Sequence, residues 1–310
     1  MMVSPATHLI FVFTAPSSRF ASLSEAAGGA GRESVSGLKQ KTDIPVKKQL
    51  LLIGLLCSAW TTWTINGFAA PGDTTWVQAH KDVWLDWYND FDTTVQFPDG
   101  TTSYRKIQMS FMLGKYNCPG NPQYCSDWDY TVQIFIMTPG GDTLELGRLI
   151  TPYAKGLRMP ADWKGEYLFD VTDYYPLLKN RATVRVHYSG YSGGFTANIR
   201  FAFIEGVRTR DVLRIDPLWR GGYDYGNPAD PIDDQITAIS RTVPAGTDQT
   251  VFRFNITGHG GDDMNCAEFC QKSYRVLLNG STWKQQSIWR DNCGSNHLYP
   301  QSGTWIYNRG

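Results

Sequence analysis

The chain has 310 residues, room for two ordinary domains or one large one with a sizeable core. Its 29 Lys+Arg balance 29 Asp+Glu, so no overall field draws it to nucleic acid or to an anionic membrane, and neither is expected as a partner. Charged residues make up 19% and aromatics 14%, alongside 30 Gly and 16 Pro, which excludes disorder for most of the chain and favours a turn-rich β protein.

Residues 1–46 show no sustained helical or strand period and include a small-residue run from Ala26 to Gly31. They read as a non-structural extension, explained by a start codon assigned too early. Residues 47–70 have a different pattern. Lys47-Lys48 precedes the apolar run Leu50 to Cys57, and Gly67-Phe68-Ala69-Ala70-Pro71 follows. That is a signal peptide, cut after Ala69 or Ala70. Ser58, Thr61, Thr62 and Thr64 interrupt the run well short of the ~18 residues of a membrane span, so no stable anchor is expected after cleavage. Residues 1–70 hold six basic and three acidic residues, so the exported remainder carries a net charge of −3.

The remainder reads as strands. Apolar residues alternate at Ile107, Met109, Phe111 and Leu113, then at Val132, Ile134 and Ile136. Val184, Val186 and Tyr188 repeat the pattern, as do Ile199, Phe201 and Phe203, and later Phe252, Phe254 and Ile256. Turn signals separate these segments at Pro98-Asp99-Gly100, Pro139-Gly140-Gly141 and Ser192-Gly193-Gly194. Short period-two segments between such turns predict an all-β, antiparallel sandwich or jelly roll. The stretch from Gly206 to Asp211, ahead of a Gly/Pro/Asp-rich loop at 220–234, divides it into residues 71–207 and 208–310.

Five cysteines follow the signal peptide. Cys118 with Cys125, and Cys266 with Cys270, are spaced to close short local loops in an oxidising compartment, which leaves Cys293 over. Cys125-Ser126-Asp127-Trp128-Asp129 and Cys266-Ala267-Glu268-Phe269-Cys270 each place a carboxylate beside an aromatic on such a turn. An aromatic face stacks on the C–H face of a sugar, while a fixed carboxylate accepts its hydroxyl or amide hydrogens. Two carboxylates in one cleft can also divide the work of general acid and base. The bland alternative is that both turns are stapled surface loops. A zinc site on Cys266, Cys270 and a histidine is a weaker rival, since no second close cysteine pair is present to supply ligands. His259, in the loop Gly258 to Met264, reads as a solvent-facing histidine before it reads as a ligand. No P-loop or dinucleotide fingerprint is present. Asn255-Ile256-Thr257 and Asn279-Gly280-Ser281 are glycosylation sequons.

Three segments of the first half, Cys118…Cys125-Ser126-Asp127-Trp128-Asp129, Gly147-Arg148-Leu149-Ile150-Thr151-Pro152-Tyr153 and Asp170-Val171-Thr172-Asp173, resemble the bacterial peptide-N-glycosidase F family. Cys266-Ala267-Glu268-Phe269-Cys270 in the second half resembles the same family in the same order. The resemblance runs from about residue 75 to the end. It implies two side-by-side eight-stranded jelly rolls with an active site in the cleft between them. It also implies hydrolysis of the amide joining Asn to the first N-acetylglucosamine of an N-glycan, with no metal or cofactor. The expected partners are N-linked glycoproteins or glycopeptides, the expected location secreted or periplasmic, and the expected state monomeric.

The resemblance assigns the primary catalytic aspartate to Asp129, the second-domain glutamate to Glu268 and a late cleft arginine to Arg309. Asp129 would activate or orient water, Glu268 would hold the sugar hydroxyls, and Arg309 would polarise the carbonyl or orient Glu268. Trp128, Phe269 and Tyr191 would shape the sugar subsites. The sequence departs from the family at Ser189, where the family has a glutamate; a serine cannot carry that charge. It also stops at Gly310, where the family continues with another cysteine and more strands, so the second jelly roll is expected to be incomplete. Ser189 gives weight to a glycan-binding protein without turnover as the competing reading. A copper-dependent monooxygenase on the same architecture is weaker, because His187, His259, His297 and Met264 lack a convincing ligand pattern.

Overall fold

The computed structural model describes residues 6–16, 72–120, 125–126, 128–152, 160–223, 227–256 and 271–289. In chain order the strands are β1 (Ala6–Pro16), β2 (Thr74–Leu85), β3 (Asp90–Gln96), β4 (Tyr104–Lys115), β5 (Thr131–Met137), β6 (Thr143–Ile150) and β7 (Lys164–Asp170). They continue with β8 (Arg181–Tyr188), β9 (Phe195–Glu205), β10 (Arg210–Gly222), β11 (Gln249–Asn255), β12 (Ser273–Leu278) and β13 (Ser281–Ser287). A four-residue helical turn at Ile232–Gln235 is the only α-helix among the described residues.

Strands β2 to β9 form two four-stranded antiparallel sheets, ordered β2-β9-β4-β7 and β3-β8-β5-β6. The first and last strands of this set lie side by side, the strand order of a jelly roll. Period two in the sequence becomes the core between the sheets. Ile107, Met109, Phe111 and Leu113 of β4 are buried, as are Val132, Ile134 and Ile136 of β5 and Val184, Val186 and Tyr188 of β8. Phe195, Ala197, Ile199, Phe201 and Phe203 supply the facing row from β9. The all-β class and the sandwich arrangement expected from these alternations are what the chain adopts.

β5 departs from simple alternation. Thr131, Gln133 and Phe135, on its other face, are buried too. A strand buried on both faces needs a cover, and the C-terminal strands supply part of it. Asn255, at the end of β11, donates a hydrogen bond to Glu145 on β6, which also accepts one from Gln133 on β5. β9 ends at Glu205 and β10 begins at Arg210, and the chain passes there from the sandwich to this covering layer.

The C-terminal layer contains a correction. Residues 1–46 were expected to take no part in the fold, yet β1 is the middle strand of a sheet ordered β10-β1-β11. It pairs antiparallel with β10 from Ala6↔Gly222 to Pro16↔Arg210, and with β11 from His8↔Asn255 to Thr14↔Gln249. The physical reason lies in Leu9-Ile10-Phe11-Val12-Phe13, which is apolar without alternation. Such a run suits a strand covered on both faces, and a search for period two passes over it. Val12, Phe13 and Thr14 are consecutive and all buried, as that reading requires. β12 and β13 form a separate hairpin.

Candidate functional site

The candidate residues of the first half gather at one end of the sandwich, where four loops meet. Cys118 and Cys125 form a disulfide with Cα atoms 5.7 Å apart, as their spacing led us to expect. The bridge closes the loop that leaves β4. Cys125 and Ser126 are fully buried beneath it. Ser126, in the left-handed backbone region, donates its N–H to Gly193 O at 2.8 Å and accepts a hydrogen bond from Lys115 Nζ at 2.9 Å. Tyr116 N–H donates to the neighbouring Gly194 O. The approach is close enough to require glycine: a Cβ on Gly194, whose φ is +124°, would lie 1.9 Å from Ser126 Oγ. Desolvation lowers the Lys115 ammonium to about 8.

Downstream of this anchor the chain surfaces. Trp128 is exposed and Asp129 half-buried. Then it dives again: Tyr130 N–H donates to Thr151 Oγ1 at 2.8 Å, and its phenol shares a hydrogen bond with Ser192 Oγ at 2.9 Å. Tyr191 packs edge-on against the Tyr130 ring, 5.7 Å between centroids. Ser189 is a hydrogen-bond partner of the β5 entry. Its Oγ accepts the Thr131 N–H at 3.0 Å, and its own N–H donates to Thr131 O at 3.1 Å. Ser189 therefore holds the backbone two residues beyond Asp129.

Trp128, Asp129, Ser189 and Tyr191 are thus brought to one end of one sandwich by β5, β8 and the β8–β9 loop. Glu268, Phe269, Arg309, Cys266, Cys270 and Cys293 lie outside the described residues, as do His259, Met264 and His297. Of the four ligands that a copper site would use, His187 is described, and its Nδ1 is 2.8 Å from Asp90 Oδ1 on β3. Among the described residues no three His, Cys, Asp or Glu side chains cluster as a metal site. No described helix is long and apolar enough to cross a membrane.

Two features escaped the sequence reading. The first is Glu145, nearly inaccessible on β6, gripped by Arg148 through two hydrogen bonds of 2.6 Å and by the amides of Gln133 and Asn255. Burial pushes its carboxyl up, while the Arg148 guanidinium and the two amides pull it back. The amide of Asn255, in the first sequon, is engaged here. A cleft of about 420 Å³ opens alongside, lined by Arg148 and Phe169 of the sandwich and by Phe254, Tyr274 and Trp289 of the C-terminal layer. The second is a group of exposed aromatics at the end of β2 and on the β2–β3 connection, Trp84, Trp87 and Tyr88. Its sequence signal was visible: three large aromatics within five residues, two of them outside any alternation.

Residues 229–310 match the family described as Peptide-N-glycosidase F, C terminal. Among solved structures, the chain is similar to PNGase F, a glycosylasparaginase from Flavobacterium meningosepticum, with 21% identity and a TM-score of 0.55, covering 76% of this chain and 78% of that one. A structure of peptide-N(4)-(N-acetyl-beta-D-glucosaminyl) asparagine amidase is similar at 20% identity and a TM-score of 0.50, covering 76% and 79% of the two chains. At these identities the likeness is one of fold. A search among curated proteins finds no match. The family match thus covers the C-terminal residues 229–310, and over the larger part of the chain the likeness to these solved structures is one of fold.

Proposed function

We propose that the chain is an amidase that hydrolyses the bond between Asn and the first N-acetylglucosamine of N-linked glycoproteins or glycopeptides. The observation that carries this reading is the placement of Trp128-Asp129. An exposed indole and an adjacent carboxylate are held at the loop end of the sandwich by the Cys118–Cys125 disulfide on one side and the Tyr130–Ser192 contact on the other. Such a pair stacks on a pyranose face and positions water at the amide next to it. Asp129 takes a proton from water as the oxygen adds to the amide carbonyl, and the C–N bond then breaks with the proton passing to the departing nitrogen. The products are aspartate and a glycosylamine, which a second water converts to the free glycan and ammonia. Glu268 and Arg309, contributed by the second half, hold the sugar hydroxyls and the carbonyl oxygen, and Phe269 and Tyr191 border the sugar. The reaction needs no metal or cofactor. The disulfide supports an oxidising compartment, where such bonds persist.

The test is incubation of the full chain with an N-glycopeptide in heavy-oxygen water, read by mass spectrometry. Conversion of Asn to labelled Asp, abolished in Asp129→Asn, is the expected result. An Asp129→Asn rate equal to the parent's would sink this assignment, and cleavage within the sugar chain would sink the amidase.

One observation favours the competing reading, a glycan-binding protein without turnover. Ser189 brings no charge, and its hydroxyl already accepts the Thr131 N–H. Ser189→Glu separates the two: hydrolysis gained by the variant over a silent parent identifies a site that binds but has lost its acid.

A further inference from the structure

The β2–β3 connection carries a feature that the proposed hydrolysis does not use. Leu85 is buried, and the chain then leaves the sandwich through Asp86-Trp87-Tyr88-Asn89 before entering β3. Trp87 and Tyr88 both have left-handed backbone, at φ +45° and +51°. Gly or Asn sits in such a two-residue turn with least strain, whereas bulky aromatics are disfavoured there. Trp87 is nonetheless 63% exposed and Tyr88 41%. Trp84, near the end of β2, is 45% exposed, with its ring 5.0 Å from that of Tyr116. The left-handed backbone at 87 and 88 does not account for bulky aromatics there.

Their location relative to the candidate site is fixed by hydrogen bonds. Tyr88 N–H donates to Gly190 O at 2.8 Å, and Tyr188 N–H donates to Asn89 O at 3.0 Å. Gly190 lies between Ser189 and Tyr191. Trp84 lies over Gly193, where an added Cβ would come within 2.8 Å of the indole nitrogen, and Gly193 O is the acceptor that anchors Ser126. The same β8–β9 loop thus borders Trp128-Asp129 on one side and Trp84, Trp87 and Tyr88 on the other. Polar groups interleave the rings: Asp86 is near enough to act on the Tyr188 phenol, and Asn89 is exposed at the end of the turn.

We propose that Trp84, Trp87 and Tyr88, with Asp86 and Asn89, form a second saccharide subsite that receives pyranose units distal to the sugar held at Trp128-Asp129. Flat aromatic faces stack on the C–H faces of successive pyranoses, and the carboxylate and amide accept and donate to their hydroxyls. The subsite rests on the reading of Trp128-Asp129 as the place of the first sugar. It gives a long glycan more contact than a short one, so it discriminates by chain length.

The test uses the full chain with two free probes that lack the Asn–sugar amide: chitobiose, and a high-mannose oligosaccharide ending in chitobiose. Calorimetry reads both affinities for the parent, for Trp87→Asn, and for Trp76→Ala, which removes an exposed Trp from the other end of β2. Asn suits the left-handed turn, so Trp87→Asn folds at least as stably as the parent. The parent is expected to bind the long probe about tenfold more tightly than chitobiose, a preference that Trp87→Asn loses and Trp76→Ala keeps. A parent without that preference, or a Trp87→Asn variant that retains it, overturns the subsite. Equal weakening by Trp87→Asn toward an unglycosylated peptide overturns it as well, because the surface would then read polypeptide. A parent that discriminates by length but cleaves no glycopeptide supports the subsite and sinks the amidase alone.

Discussion

Replacing Arg148 with Met tests the buried pair within β6 to which Asn255 of the C-terminal cover is hydrogen-bonded. Glu145 is 2% exposed, and Arg148 contributes two hydrogen bonds of 2.6 Å and a full opposite charge to it. The Gln133 and Asn255 amides add bonds of 3.0 and 3.2 Å, the second from β11. Met matches the length of the arginine stem but leaves a nearly buried carboxylate with amide donors in place of a cation. Removing one member of a buried pair costs about 3–5 kcal/mol, most of it desolvation of the group left behind. The loss depends on pH, and its sign follows from protonation. Burial already raises Glu145 above the ordinary value of 4.5, and losing Arg148 raises it further. A carboxyl whose folded value exceeds its unfolded value binds a proton more tightly in the native state. The native state is therefore favoured at low pH, and that advantage drains away as pH climbs from the unfolded value through the folded one. The variant's loss should therefore be larger at pH 8 than at pH 5. Urea unfolding of the parent and Arg148→Met at both pH values measures this directly. Glu145→Gln combined with Arg148→Met should recover part of the stability at pH 8, since no charge then remains to be desolvated. A loss below about 1 kcal/mol, or one equal at the two pH values, would refute the argument that this pair is buried and coupled.

Lys115 runs the opposite way. Its folded value, lowered by burial to about 8, lies below the 10.5 of the unfolded chain, so the penalty is fully present below pH 8 and fades as pH rises towards 10.5. Lys115→Met should flatten that segment of a stability–pH profile, and a parent profile already flat between pH 8 and 10 would contradict it. Gly194→Ala should lose about 3 kcal/mol or more and disturb the disulfide turn, because the new Cβ meets Ser126 Oγ at 1.9 Å at a φ of +124°; thermal unfolding reads the loss. Deleting residues 1–20 strips β1 and bares the facing edges of β10 and β11. The variant should aggregate on size-exclusion chromatography, and a peptide of the Ala6–Pro16 sequence added during refolding should restore the parent's elution volume. A deletion variant that keeps the parent's elution volume and unfolding midpoint would show β1 to be dispensable.

What the sequence made legible was what depends on neighbours along the chain. The alternation at Ile107 to Leu113 and at Val184 to Tyr188 needs only a sheet with one face on a core, and both segments became such strands. The spacing of Cys118 and Cys125 needs only a short loop, and the bridge is formed. What stayed hidden depends on partners far away in sequence. Glu145 and Arg148 on a strand read as a solvated pair; Asn255, 110 residues on, helps turn them into a buried one. β5 reads as half-exposed until the cover is in place. β1 lies some two hundred residues from the strands it joins, so no window of the sequence contains both the apolar run and the slot it fills.

Ser189 shows how the two kinds of information meet at one residue. From sequence alone it is a missing acid. In the fold it is also the acceptor for Thr131 N–H at the mouth of β5, and Thr131 follows Asp129 by two residues. A residue at this position has two tasks: to end the β5–β8 pairing cleanly, and to face whatever lies beyond Asp129. Serine meets the first with its hydroxyl and leaves the second to other groups. The strand register that sets Ser189 opposite Thr131 also places Tyr191 against Tyr130 and Gly190 against the Tyr88 N–H, so the loop from 189 to 194 borders both the proposed catalytic aspartate and the proposed stacking surface. A substitution that restores an acid at 189 must preserve that register to be informative. A Ser189→Glu variant is therefore interpretable only if it keeps the parent's length preference for free oligosaccharides, which reports the geometry of the loop independently of turnover.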